Sequence, residues 1–157
     1  MQYKIVLVSL FLVFSFWSSA QKQETINIVI NKTPASVQVV SLKKERKIRN
    51  DLRYYWYKDK HIVNTQGGYE GKLLHGYYIE YYTNGQLKIK GTFHYGVQQG
   101  EWKYWDADGN LQRIENWKNN QLNGKSSLYD KGKLVKEIEY KSGNKVSEKE
   151  VVSGEKQ

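Results

Sequence analysis

The residue types that carry most protein chemistry are scarce in this sequence of 157 residues. There is no cysteine, which excludes disulfides, thiolate metal sites and cysteine nucleophiles. The histidines are His61, His75 and His94, and neither a Gly-x-Ser-x-Gly nor a His-Glu-x-x-His motif accompanies them. We therefore expect no catalytic residues, no metal site and no cofactor.

Two groups of acidic residues have spacings that deserve comparison with known sites. Glu80, Glu101 and Glu115 would allow a glycosidase-like pairing across strands, but each lies among lysines on a polar strand face, which favours ordinary cross-strand charge pairing. Asp106–Asn110 has the start of a calcium loop without the glycine and glutamate that an EF-hand needs further on. Its Asp-Gly dipeptide instead predicts a hairpin turn.

The first 20 residues have the composition of a secretory signal peptide. Lys4 precedes the apolar run Ile5–Trp17, and Ser18-Ser19-Ala20 supplies the small residues of a cleavage site. The run is shorter than the about 20 residues of a membrane-spanning helix. We expect cleavage between Ala20 and Gln21, a secreted, periplasmic or envelope location and no transmembrane span afterwards. An uncleaved membrane anchor is the alternative.

The formal net charge of +9 is concentrated in one stretch. Residues 21–60 carry ten Lys/Arg against four acids, residues 61–124 carry six against six, and residues 125–157 carry eight against six. The candidate anion-binding residues are Lys43, Lys44, Arg46, Lys47, Arg49 and Arg53. In an exported protein, anionic lipid, acidic glycan or an acidic partner is favoured over nucleic acid. A solvated linker or short helix is the alternative.

A repeat of 24 residues organises the rest of the chain. Gly76, Gly100 and Gly124 each open a copy that continues to an aromatic residue, a turn dipeptide, a leucine and a second aromatic residue. A degenerate copy precedes them. The predicted divisions are a signal peptide at 1–20, a basic segment with one or two short strands at 21–51, repeats at 52–75, 76–99, 100–123 and 124–146, and a disordered tail at 147–157. The two alternating stretches near Pro34 pair with each other or cover the first edge of the repeat sheet.

Each copy is predicted to be a β-hairpin, because Asn-Gly and Asp-Gly between alternating segments are strong hairpin signals. The loop lengths place Tyr81 opposite Leu87, Trp105 opposite Leu111 and Tyr129 opposite Leu134. Strict alternation would put Leu87 and Ile89 on the same face. The predicted fold class is all-β: an elongated antiparallel sheet of tandem hairpin repeats.

This pattern resembles the MORN repeat, and most closely its bacterial variant type, in which Gly-Glu-Trp-Lys-Tyr-Trp and Asp-Gly-Asn-Leu are typical. The resemblance covers residues 52–146 and is clear over 76–140. It implies an elongated β-sheet that serves as an interaction or scaffold module without catalytic residues. Some bacterial relatives are labelled antitoxins. Asn120 departs from the pattern, since its counterparts are Gly96 and Gly143.

The sequence favours a non-enzymatic interaction module that binds a protein or an envelope component. The candidate partner-binding residues are the aromatics opposite the Tyr–Leu pairs, namely Tyr78, Tyr82, Trp102 and Tyr104. Their packing against residues 21–50 or against a second copy is the alternative. Binding of anionic lipid or glycan through residues 43–53 and an antitoxin-like role are the other two hypotheses.

Overall fold

The computed structural model describes residues 23–42 and 46–151, which form β-strands joined by turns. The signal-peptide prediction, Lys43 and Lys44 lie outside the described residues. The strands are β1 Gln23–Ile30, β2 Thr33–Val40, β3 Arg53–Lys58, β4 His61–Gln66, β5 Lys72–Tyr81, β6 Leu87–His94, β7 Val97–Trp105, β8 Leu111–Lys118, β9 Gln121–Leu122, β10 Gly124–Asp130, β11 Lys133–Lys141 and β12 Asn144–Glu150.

These strands form one open antiparallel sheet, which confirms the predicted fold class. Its main path runs β1-β2-β5-β6-β7-β8-β10-β11-β12, while β3, β4 and β9 pair beside it. The two alternating stretches near Pro34 are β1 and β2, which pair with each other around Asn31-Lys32. Strand β2 also pairs with β5, so both arrangements that the sequence left open occur together.

The predicted cross-strand pairs are confirmed in all three clear repeats. Tyr81 lies opposite Leu87, Trp105 opposite Leu111, and Tyr129 opposite Leu134. Each pair sits beside a bulge, where two residues of one strand face one residue of the other. The sequence pattern therefore fixes the register of these hairpins.

The same bulge corrects our expectation that Leu87 and Ile89 share a face. Glu80 lies opposite Ile89 and Tyr81 lies opposite Leu87, so Lys88 is the extra residue. Since Glu80 and Tyr81 point to opposite faces, Leu87 and Ile89 do so as well. Strict alternation along the strand fails here because it does not continue through a bulge.

We name the two faces of the sheet by their aromatic residues. The outer face carries Tyr81, Leu87 and Trp105. The inner face carries Tyr78 and Trp102, and between them lies Gly91 of β6.

The hairpin β3–β4 is the first repeat along the chain, but it does not lie on the main path of strands in the sheet. It pairs with β5 only through Trp56 opposite Leu73 and Tyr57 opposite Lys72, while β2 pairs along the length of β5. Its turn at residues 59–60 contains two residues, and side chains of this hairpin pack on the inner face. The degenerate copy therefore covers part of the repeat sheet.

The main core lies on the inner face. It consists of the buried side chains of Val37, Val39, Leu74, Phe93 and Trp102. The rings of Phe93 and Trp102 meet edge to face, with centroids 5.2 Å apart. Residues of β2, β5, β6 and β7 thus share one core, and the N-terminal strands are part of it.

The end of the chain corrects the prediction of a disordered tail from residue 147. Residues 147–150 belong to β12, which pairs with β11 as the first strand of a further repeat would. Lys136 of β11 forms ion pairs with Glu148 and Glu150. The hydrogen bonds from Lys136 and Lys145 lower the pKa of Glu148 to about 2. The open edge of β11 supplies the backbone hydrogen-bond partners of β12, and Lys136 pairs with its carboxylates. A charged sequence at the end of the chain therefore forms a strand.

Substitution of Gly91 by alanine should destabilise the protein. A Cβ atom at Gly91 would lie 2.1 Å from the indole of Trp102, which packs directly over the glycine. Such overpacking costs about 1–3 kcal/mol of unfolding free energy. Gly68→Ala is the matched control, because a Cβ atom there meets nothing within 4 Å. Urea denaturation measures both variants, and equal stabilities would contradict the packing of Trp102 on Gly91.

Candidate functional site

Two-residue turns link each repeat to the next at one end of the sheet. They are Tyr95-Gly96, Asn119-Asn120 and Ser142-Gly143, and we call them the connecting-turn row. Both residues of each turn have positive φ. This is the type I′ geometry, which glycine and asparagine adopt most readily. The row repeats with the period of the sequence.

Backbone hydrogen bonds attach this row to the preceding repeat. The bonds run from Gly96 N–H to Leu74 C=O at 2.6 Å, from Asn120 N–H to Gln98 C=O at 3.3 Å, and from Gly143 N–H to Leu122 C=O at 2.8 Å. Because donors and acceptors both recur at the repeat spacing, each turn is held in the same way.

A second set of bonds uses side chains as acceptors. Tyr95 N–H donates to His75 Nδ1 at 3.1 Å, Asn119 N–H to Gln99 Oε1 at 3.2 Å, and Ser142 N–H to Asn123 Oδ1 at 3.2 Å. The acceptor always stands directly before the glycine that opens a repeat. The signal in the sequence is this position, which holds a histidine, a glutamine or an asparagine in the three copies.

His75 differs from the two amides because it titrates. Its Nδ1 accepts a hydrogen bond only when that nitrogen is unprotonated. Burial, and then the charges of His94 and Arg46, lower the pKa of His75. The ring of Tyr95 stacks 4.1 Å from that of His75. His75 is therefore a neutral structural acceptor at neutral pH.

Asn120 replaces the expected glycine and adds bonds that glycine lacks. Its φ is 60°, a conformation that asparagine tolerates. Its Oδ1 accepts from Gln98 N–H at 2.7 Å, and its Nδ2 donates to Arg53 C=O at 2.6 Å. Together with the bond from Tyr55 N–H to Gly96 C=O, this fixes β3 across the connecting-turn row.

Of the four aromatic residues predicted to bind a partner, Trp102 is buried, with 3% of its surface exposed. The expectation that Trp102 is exposed for partner binding is therefore wrong. The alternative prediction, that it packs against residues 21–50, is correct for Trp102. The reason is that Val37 and Val39 of β2 belong to the same buried cluster as Trp102. Its indole nitrogen finds no hydrogen-bond acceptor among the described residues.

Tyr78 and Tyr104 lie half-buried on the inner face and line a groove of about 290 Å³. Burial, and then the carboxylate of Glu80, raise the pKa of Tyr78, whose hydroxyl donates to Glu80 at 3.0 Å. Burial and Glu115 raise the pKa of Tyr104 in the same way. Both hydroxyls are thus protonated donors.

Tyr82 lies beyond the end of β5, in the loop of its hairpin. Its hydroxyl donates to Trp105 C=O at 2.8 Å, and the amine of Lys88 lies 5.7 Å from its ring centroid. Asn84 in the same loop donates to Ala107 C=O at 2.8 Å. Tyr82 therefore ties neighbouring hairpin loops together, and it does not join Tyr78 or Tyr104 in the groove.

The outer face carries the Tyr–Leu and Trp–Leu pairs as a strip of half-buried side chains. A groove of about 330 Å³ crosses it between β5, β6 and β7. Tyr77, Leu87 and Trp105 supply its apolar wall, while Lys90, Glu101 and Lys103 supply its polar wall. Since Lys103 pairs with Glu101 at 2.9 Å, the formal charge of the groove is +1, from Lys90.

The basic residues divide into two places. Arg46, Lys47 and Arg49 line a cavity of about 160 Å³ next to the connecting-turn row, together with His94. Arg53 instead donates to Asn64 on β4 at 2.8 Å. The structure thus brings three of the six candidate anion-binding residues together.

The glutamates form ion pairs, but the predicted cross-strand pairing is confirmed for Glu80 and is wrong for Glu101 and Glu115. Glu80 pairs with Lys88 at 2.6 Å across the hairpin, while Glu101 and Glu115 pair with basic residues two positions away on their own strands. Asp106 accepts backbone N–H groups of its own hairpin loop, which lowers its pKa. Among residues 23–42 and 46–151, no group of three or more potential ligands surrounds a metal position.

The comparisons with known proteins agree with the geometry of the central repeats. Residues 74–95 and 98–119 match the family model described as MORN repeat variant. The predicted resemblance is confirmed for these two segments, and MORN repeats are generally protein- or membrane-binding modules. No curated protein matches the chain, and no solved structure matches it. Within the described part of the chain, no helix is long and apolar enough to span a membrane.

Acid should weaken the protein through His75. Because the pKa of His75 is lowered in the folded state, its contribution is full above the ordinary histidine value of about 6.5 and is lost as pH falls through the folded value. His75→Gln keeps an acceptor like Gln99 and removes this titration.

The measurement is the unfolding free energy from pH 8 to pH 5 in urea. The wild type should lose stability on acidification relative to His75→Gln, in which His94 and Arg46 are unchanged. Parallel curves for the two proteins would contradict the role of His75 as a neutral acceptor.

Proposed function

We propose that this protein is an exported, non-enzymatic module that binds a partner protein at the cell envelope through the outer face of its repeat sheet. The observation that carries the proposal is the strip of cross-strand pairs, Tyr81–Leu87, Trp105–Leu111 and Tyr129–Leu134. Aromatic side chains on a rigid sheet provide contact area at little cost in conformational entropy.

The charge of the repeats supports a protein partner over a polyanion. Residues 61–124 carry as many acidic as basic residues, and the groove on the outer face contains both signs. A balanced polar rim around apolar side chains is typical of protein–protein interfaces. The inner groove, lined by Tyr78 and Tyr104, is a second contact in the proposal, with Tyr82 bracing the loops beside it.

Export and the absence of catalysis are supported by the sequence. Residues 1–20 have the charge, apolar run and small residues of a signal peptide. The acidic residues considered for catalysis are engaged in ion pairs and turn hydrogen bonds. An envelope partner would meet the module after translocation.

The experiment is chemical cross-linking and capture of partners from the envelope fraction with the protein lacking residues 1–20. Trp105→Gln/Leu111→Gln removes one apolar pair of the strip and should reduce capture at least about tenfold, because central aromatic contacts contribute about 2 kcal/mol or more. The control is Val29→Gln/Val146→Gln, which removes exposed apolar surface on the two edge strands.

Three outcomes separate the parts of the proposal. Loss of the partner with the strip variant alone supports the outer face. Equal capture by both variants would contradict that surface. The native protein should begin at Gln21, whereas intact residues 1–20 on a cytoplasmic protein would contradict export and favour the antitoxin hypothesis.

A further inference from the structure

We propose that the cavity beside the connecting-turn row binds a single phosphate or sulfate group. Its volume is about 160 Å³, and its polar lining consists of Arg46, Lys47, Arg49, His94, Gln99 and Asn119. The cavity lies outside the outer-face strip. Its three cations precede both matched MORN segments, whereas His94, Gln99 and Asn119 belong to them. The proposal therefore does not depend on the proposed protein partner.

The segment that carries the cations is fixed in place. Arg49 N–H donates to the hydroxyl of Tyr54 at 3.1 Å, and Leu52 N–H donates to Arg49 C=O at 3.2 Å. Tyr54 is itself buried on β3, with 4% of its surface exposed. Because β3 is bonded to the connecting-turn row, residues 46–49 are placed against that row as a preformed wall.

Within residues 23–42 and 46–151, a carboxylate pairs with only one of the three cations. Arg49 forms a two-point pair with Asp51, at 2.5 and 3.1 Å. Among the described residues, no carboxylate lies within ion-pair distance of Arg46 or Lys47. None of the described Asp or Glu residues lines the cavity. Two like charges held side by side repel each other, and an anion between them would relieve that repulsion.

Arg46 is oriented for anion binding by an aromatic ring. Its guanidinium carbon lies 4.1 Å from the ring centroid of Tyr95. A guanidinium that stacks by its face retains its N–H edges, which match the paired oxygens of phosphate or sulfate. Tyr95 is held in turn by its hydrogen bond to His75, so the repeat geometry positions this cation.

Amide side chains also belong to the lining of the cavity. Gln99 Oε1 accepts from Asn119 N–H, which leaves the amide NH₂ of Gln99 as a donor. His94 and the side chain of Asn119 border the same cavity. Charged donors together with amide donors are suited to a compact tetrahedral oxyanion.

The size of the cavity limits the ligand. Pockets for whole drug-sized molecules have volumes of about 300–1,000 Å³. This cavity is smaller, so it accommodates the oxyanion alone, and any attached group would extend into solvent past the exposed Arg46 and Lys47. The same chemistry is offered by free phosphate and by a lipid phosphate headgroup.

The test is calorimetric titration of the protein lacking residues 1–20 with sodium phosphate and with sodium sulfate, and sedimentation with phosphatidylglycerol vesicles. Arg46→Gln/Lys47→Gln should weaken binding at least about tenfold, because both charged hydrogen-bond donors are removed. Lys141→Gln/Lys149→Gln removes the same charge from exposed positions outside the cavity and should bind like the wild type.

The three probes distinguish the source of the anion. Saturable binding of phosphate or sulfate that is lost only in Arg46→Gln/Lys47→Gln supports the site, and a parallel loss of vesicle binding identifies a lipid headgroup as the source. Absence of saturable binding to every probe, or equal weakening by both double variants, would overturn the proposal. Circular dichroism and thermal unfolding verify that both variants are folded.

Discussion

The hydrogen bonds between the connecting-turn row and the preceding repeat are the constraint on which the rest of the structure depends. Each turn needs positive φ at two residues, which costs free energy for residues such as Tyr95 and Asn119. Two hydrogen bonds per turn offset that cost, one to a backbone carbonyl and one to a side chain. Because both acceptors recur at the repeat spacing, the period of the sequence determines the period of the structure.

Both candidate binding regions follow from this arrangement. The turns set where each strand begins, and hence which face receives the Tyr–Leu pairs and which receives Trp102. The row also provides the carbonyl of Gly96 and the amide of Asn120, which hold β3. Strand β3 then presents Tyr54 to the segment that carries Arg46, so the basic cavity exists only because the repeats are in register.

The parts of this architecture that depend on local sequence could be predicted, whereas the parts that depend on long-range strand pairing could not. Turn dipeptides and loop lengths determine the hairpins and their cross-strand pairs, since both are local. The burial of Trp102 depends on Val37 and Val39, which are distant in sequence and arrive through the pairing of β2 with β5. The tail strand β12 is stabilised by an open edge and by Lys136, and neither is visible in the composition of residues 147–157. The basic stretch was recognisable from its charge. The cavity that it lines forms only because β3 lies across the connecting-turn row, which is a long-range contact.

Hydrogen exchange of the turn amides tests the central claim most directly. The account predicts slow exchange at Tyr95, Gly96, Asn119, Asn120, Ser142 and Gly143, with the same protection recurring in each repeat. The reference is the turn Asn31-Lys32, which has the same backbone conformation but connects only β1 and β2. Exchange in the connecting-turn row as fast as at Asn31 and Lys32 would show that the turns are not bonded to the preceding repeat, and would contradict the account.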